Sequence, residues 1–256
     1  MQFKLMAKMT VLSVLSLAGF FSFFGGKEMP QHQFKGNLQS EVLDHSAWNS
    51  LLKKYVDQTG NVDYKAFKND QATLSSYLNY LGNTPPSEIW SKEEGLSYYI
   101  NIYNAATVKL ILDNYPTKSI KDIKDPWGKE WVKIGSDTYS LGDIEHKILR
   151  KMNEPRIHFA INCASFSCPK LLNEAYTSEK VEEQLQKASI DFVNDPTRNI
   201  LSKEKLQLSN IFKWYKKDFT ENGSLIDYIK TYSEKEIDPK AKISYVTYDW
   251  SLNEKK

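Results

Sequence analysis

The stretch Arg156-Ile-His-Phe-Ala-Ile-Asn-Cys-Ala-Ser-Phe-Ser-Cys-Pro169 holds both cysteines of the chain and one of its four histidines. A thiol, an imidazole and small polar residues in one short segment are the ingredients of nucleophilic catalysis, in which a base activates the thiol and a third group orients the base. Cys163 closes an apolar, strand-like run, and side chains at strand ends are held rigidly yet open to ligand. Cys168 precedes Pro169, a residue favoured at the first position of a helix, so Cys168 reads as a helix cap whose thiol the dipole would acidify. Three readings of the pair stand side by side. One cysteine is a nucleophile, or the two form a small-loop disulfide. In the third, His146, His158, Cys163 and Cys168 supply metal ligands, although no CxxC or HxxxH spacing supports it and no cofactor is expected.

A nucleophile needs a base. In an extended strand Ile157, Phe159 and Ile161 face one side, and His158, Ala160 and Asn162 the other. At ~3.3 Å per residue His158 would lie roughly 16 Å from Cys163, which points to a base on another element. His146 is the first choice. On a helix over residues 141–151, Leu141, Ile144 and Ile148 make the apolar face, Glu145 projects within that sector, and His146 and Arg150 share the adjoining flank. A carboxylate turned toward a core must be paired or protonated. Glu145 therefore forms an ion pair with Arg156 or Arg198, or serves a site as acid, base or orienting group. His158 itself reads as a satisfied core residue, a partner of Glu145, or a further catalytic group. Asn101 and Asn104, three apart on one helix face, either bond neighbouring backbone or line a pocket. Asn162 or Asn101 could donate to a developing oxyanion, Arg150 belongs with the binding groups, and Asp249 either caps a turn or orients a histidine.

These residues need a frame. Apolar spacing marks helices over 45–57 and 73–81, and Ser91-Lys-Glu-Glu94 has capping-box form, opening a helix to about Asn114 that is apolar nearly all round. Gly135-Ser-Asp137 between extended pieces indicates a hairpin near 131–139. An amphipathic helix over 178–193, shorter ones over 211–219 and 225–232, and strands near 156–163 and 243–250 complete the pattern. Strands scattered among helices predict an α+β fold, a predominantly helical single domain over 45–253 packed around a small sheet.

With 41% hydrophobic and 13% aromatic residues, 256 residues bury a core without staples. A net charge of +2 without a basic stripe gives no support to nucleic-acid binding. Residues 1–26 differ in kind. Lys4 and Lys8 precede an apolar run over 9–24 that is too short for the ~20-residue span a membrane requires, so it reads as an export signal, with an uncleaved anchor as the alternative. Residues 27–44 read as a linker. Export would place the domain in the periplasm or outside the cell, an oxidising setting, with membrane contact only through the uncleaved segment.

Together, Tyr99-Ile-Asn-Ile-Tyr-Asn-Ala105, Ser140-Leu-Gly-Asp-Ile-Glu-His-Lys-Ile-Leu-Arg150, residues 156–169, Val62-Asp-Tyr64 and Tyr248-Asp-Trp-Ser-Leu-Asn253 resemble a widespread family, domain of unknown function 547. The resemblance spans roughly residues 45–253. It implies that Asn101, Asn104, Glu145, His146, Arg150, His158, Asn162 and Cys163 lie in family motifs, and it implies no reaction. The residues themselves suggest a thiol-dependent hydrolase or transferase acting on an amide, peptide or thioester bond. Cys163 or Cys168 would attack, His146 would accept the proton and Glu145 would orient it. The rival is a non-catalytic domain that binds a small molecule or peptide and is stabilised by a Cys163–Cys168 disulfide.

Overall fold

The chain's longest helix carries the main core. In the computed structural model, which describes residues 43–256, this helix runs Lys92–Asn114. It starts where the capping box demands: Glu94 N–H donates to Ser91 Oγ (3.1 Å) and Ser91 N–H to Glu94 Oε2 (2.7 Å), relieving two orphan donors of the first turn. Its residues Ile100, Ile102, Ala105, Ala106, Ile111 and Leu112 are all fully buried. Burial on every face leaves no solvent stripe, the mark of a central helix.

Around it, in chain order, stand α1 (Ser46–Tyr55), α2 (Tyr64–Phe67) and α3 (Gln71–Asn83), with the central helix as α4. The hairpin β1 (Val132–Ile134) and β2 (Asp137–Tyr139) pairs antiparallel in the register Val132↔Tyr139 and Ile134↔Asp137, and Gly135 takes the positive φ (63°) its turn requires. Then come α5 (Leu141–Asp143), α6 (Val181–Asn194), β3 (Ile200–Leu201), β4 (Lys205–Leu208), α7 (Ile211–Trp214), α8 (Lys216–Phe219), α9 (Leu225–Tyr232) and β5 (Lys242–Tyr245). β4 pairs antiparallel with β3 and parallel with β5. All described residues fall in one compact unit, and the fold is α+β and mostly helical, as the sequence pattern indicates.

Two apolar clusters fill it. The larger gathers α1, α3, α4 and the hairpin. The smaller is phenylalanine-rich, built from Phe159, Phe192, Phe212 and Phe219 beneath α6 to α9 and the three-stranded sheet. Among the described residues no helix is long and apolar enough to cross a membrane. The export or anchor segment and nearly all of the linker lie outside the described residues.

Three local expectations need correction. Residues 156–163 form no strand. Pro155–Phe159 is a 3₁₀ turn opened by Pro155, whose fixed φ suits a first helical position, and Glu154 caps it by accepting Arg156 N–H (3.3 Å). The apolar alternation that mimics a strand comes from residues inserted into two different cores: Ile157 and Ile161 in the larger, Phe159 in the smaller. The second strand is shorter than 243–250. It ends at Tyr245, because beyond it the tail turns away to pair Ser251 with Ser119 and Leu252 with Ser165. No helix follows Pro169 either, so Cys168 caps nothing.

Candidate active site

The segment after α5 widens. Ile144–Ile148 winds as a π-helix, in which Leu149 N–H reaches the carbonyls of Ile144 and Glu145, and Leu149–Met152 tightens to 3₁₀. Such π turns are uncommon and recur at functional sites. This one buries the Glu145 side chain to 7% exposure while leaving His146 at 51%, the division expected from the helical faces. Glu145 meets neither arginine proposed for it. Arg156 is clamped between Glu154 and Glu182 at 2.7 Å, and Arg198 lies over the Phe166 ring with Nε donating to the Cys168 carbonyl. Glu145 Oε2 accepts from Tyr103 (3.3 Å), His146 Nδ1 stands 3.7 Å from Oε1, and Oε1 is buried with no hydrogen-bond partner.

The thiol loop is held from behind. Asn104 Oδ1 accepts Asn162 N–H (2.8 Å) while its Nδ2 donates to the Ala160 carbonyl (3.0 Å). Asn162 spans the loop, donating to the Pro169 carbonyl and accepting Ala164 N–H, both at 2.7 Å. That second bond supports Ala164 at φ 58°, a left-handed conformation costly for a residue with a Cβ. Asn101 bonds both backbone groups of Tyr176. Asn101, Asn104 and Asn162 thus use their amides on backbone, and none lines the cavity in front of Cys163. The tail completes the clamp, with Phe166 N–H on the Ser251 carbonyl and Ser167 N–H on that of Asp249. Asp249 caps its own turn through Ser251 N–H (2.9 Å).

Cys163 is half-buried and Cys168 buried, both as free thiols. Cys163 Sγ contacts Cys168 Sγ (3.0 Å), Ser165 Oγ (2.9 Å) and Tyr248 Oη (3.4 Å), and its N–H donates to Cys168 Sγ (3.0 Å). The hydrogen bond from Cys168 first, helped by Ser165 and Tyr248, outweighs burial and lowers the Cys163 thiol to about 7. Burial pushes Cys168 the other way, well above an ordinary thiol. One sulfur is primed and accessible, the other protonated and enclosed.

Both histidines reach the same cavity, of about 330 Å³, as Cys163 and Cys168. His146 Nδ1 is 3.5 Å from the Arg150 guanidinium. His158, 3% exposed, is the better-positioned ring. It stacks on Tyr215 with centroids 3.9 Å apart, and its Nε2 bonds Asp218 Oδ2 at 2.9 Å. Arg150 grips Asp218 through Nε and Nη2 (2.6 and 2.7 Å). Burial alone would raise the Asp218 carboxyl, but the bonds from Arg150 and His158 hold it far below the usual carboxylate range. Ionised Asp218 makes Nε2 the protonated nitrogen and leaves His158 Nδ1 as a bare acceptor, buried without a partner. Burial also depresses the imidazole's own pKa by more than Asp218 restores.

Sequence reasoning missed Asp218, which sits 60 residues beyond His158 on α8 and in no recognisable motif. It also missed the aromatic wall: Trp214 packs on Tyr248 and Trp250 (4.8 and 5.7 Å), and Trp250 on Trp127 (5.9 Å). Only the Tyr248-Asp-Trp250 motif hinted at it. Among the described residues no three His, Cys, Asp or Glu side chains converge as a metal site.

Residues 87–193 match the family described as "Protein of unknown function, DUF547", which supports the family resemblance read from the motifs. The match takes in α4, the Glu145 turn and the thiol loop, and stops before Asp218. Neither a curated protein nor a solved structure matches the chain.

Proposed function

From a chain whose residues 87–193 match the DUF547 family model, we propose a thiol-dependent hydrolase or transferase of acyl compounds, with Cys163 as nucleophile, His158 as its proton carrier and Asp218 orienting the imidazole. One observation carries this reading: a thiol lowered to about 7 shares a cavity with an imidazole whose Nδ1 is bare and whose Nε2 is fixed on a carboxylate. Thiol, base and orienting group are the set that thiol catalysis requires. The extended-strand argument that set His158 aside falls with the strand. His146, half in solvent and facing Arg150, suits the rim of the cleft better than the base.

In the reaction, Cys163 thiolate attacks the carbonyl carbon of an amide, ester or thioester. A carbon–sulfur bond forms, the bond to the leaving group breaks, and the leaving group takes a proton from the His158 imidazolium that accepted it from the thiol. Water, or an acceptor nucleophile, then gives its proton to His158 Nδ1, attacks the acyl thioester and releases Cys163. Asp218 stays ionised throughout and stabilises the transient imidazolium.

The test uses p-nitrophenyl acetate and iodoacetamide. The expected result is a burst of nitrophenol equal to the enzyme concentration, lost in Cys163→Ser, and a Cys163 alkylation rate that is half-maximal near pH 7. Absence of a burst together with alkylation half-maximal at an ordinary thiol's pH would sink the proposal.

The 3.0 Å approach of the two sulfurs favours a second reading, a binding domain closed by a Cys163–Cys168 disulfide. Export through residues 1–26 would expose the pair to oxidant. Titration of thiols in protein recovered unreduced from its native compartment separates the two: two free thiols support the catalyst, none supports the binding domain.

A further inference from the structure

The thiol chemistry leaves one buried charge unused. Glu145 lies on the cavity wall at 5% exposure, and its Oε1 has no hydrogen-bond partner, His146 Nδ1 at 3.7 Å being too distant for a hydrogen bond. A carboxylate oxygen in that state is expensive, and the cost is recovered when a cation arrives. The remaining lining is suited to the same ligand. Of the fourteen residues around the cavity, six are Trp or Tyr, one is acidic and none is Lys or Arg. Trp127, Trp214, Tyr248 and Trp250 form one continuous set of packed rings, and the negative faces of such rings attract ammonium groups. The fold itself contains an example of that pairing, with Lys121 Nζ 5.2 Å from the Trp250 ring centroid, although Lys121 is not part of the lining. An anionic substrate would meet no lysine or arginine here, and a neutral apolar one would leave Glu145 Oε1 without a hydrogen-bond partner.

We propose that the cleft takes a substrate bearing an amine or quaternary ammonium group, which seats against the ring set with its charge opposite Glu145. This deepens the acyl-transfer reading by naming the substrate class of the same cleft: an acyl compound whose donor or acceptor part is cationic.

Tryptophan fluorescence reads binding directly, because three indoles line the cavity. The probes are hexylammonium, hexanol and hexanoate at neutral pH. The ammonium ion binds at least about tenfold more tightly than the alcohol, the scale of one or two cation–π contacts, and hexanoate binds more weakly than either. Glu145→Gln brings the ammonium ion to the alcohol's affinity. Trp214, 47% exposed, tolerates replacement, and Trp214→Leu lowers ammonium affinity more than alcohol affinity because it keeps apolar area and removes the ring face. Should Glu145→Gln not fold, Trp214→Leu decides alone. Equal affinity for ammonium and alcohol in the wild type overturns the proposal, as does a preference that Trp214→Leu leaves intact. Cys163→Ser retains the ammonium preference, so loss of the acyl burst and loss of cation selectivity are separate outcomes.

Discussion

The asparagines behind the thiol loop and two titratable groups in front of it, Glu145 and His158, are equally buried, yet the fold fully satisfies only the first set. Asn101, Asn104 and Asn162 are 0–3% exposed, and each uses both ends of its amide on backbone. Glu145 and His158 are 5% and 3% exposed, and each keeps one atom unpaired. Buried polar groups are normally bonded, so the exceptions call for a reason. Of the six such atoms among the described residues, these two share a cavity with the primed thiol. The amides fix the loop, and the open valences belong to whatever enters.

The largest expected effect tests the open side. His158→Gln should slow acylation by about 10²–10⁴-fold, the usual worth of a positioned acid–base group, measured as the burst rate with p-nitrophenyl acetate. A change below tenfold would return the base to His146. On the closed side, Asn104→Ala strands Asn162 N–H and the Ala160 carbonyl, and should cost about 2–3 kcal/mol in urea unfolding. A loss near zero would mean the amide network is not what holds the loop.

A third test sets one buried histidine against another. His45 Nδ1 is paired with Tyr77 Oη at 2.7 Å, outside the cavity lining, and burial lowers its pKa from 6.5 to about 4. The unfolded chain therefore binds the proton more readily, so stability is full above pH 6.5 and is lost as pH falls through 6.5 toward 4. His45→Gln should flatten part of that acid slope without touching the burst, whereas His158→Gln should affect both. The smallest effect is expected of Glu145→Gln, which should leave thermal stability within about 1 kcal/mol or raise it, since it removes an incompletely paired buried charge. Strong destabilisation would move Glu145 to the structural set.

Much of this frame was legible in sequence because it rests on local rules. Ser91 with Glu94 marked the start of α4, the Gly135 turn marked the hairpin, and apolar spacing marked α6 and α9. The burial of Glu145 beside an exposed His146 followed from helical periodicity, even though the turn there is a π-helix. What stayed hidden depends on contacts between distant residues. Alternation over 156–163 looks the same whether it faces two sides of a sheet or two cores. Asp218 becomes meaningful only when α8 packs under His158, and nothing in Lys-Lys-Asp-Phe announces that. The role expected of Cys168 failed because a proline after a cysteine permits a helix without requiring one.

The tail that clamps the thiol loop gives the site a history as well as a shape. Tyr64 donates to Asn253 across 189 residues, Asn253 to the Gly60 carbonyl across 193, and Tyr248 meets Cys163 across 85. Contacts of such separation carry the greatest loop-closure entropy and tend to form late. Reactivity at Cys163 thus depends on the segment around Tyr248–Asn253 being in place. A reagent that finds the thiol at neutral pH would mark the moment of closure, which makes this cysteine a built-in clock for the last step of folding.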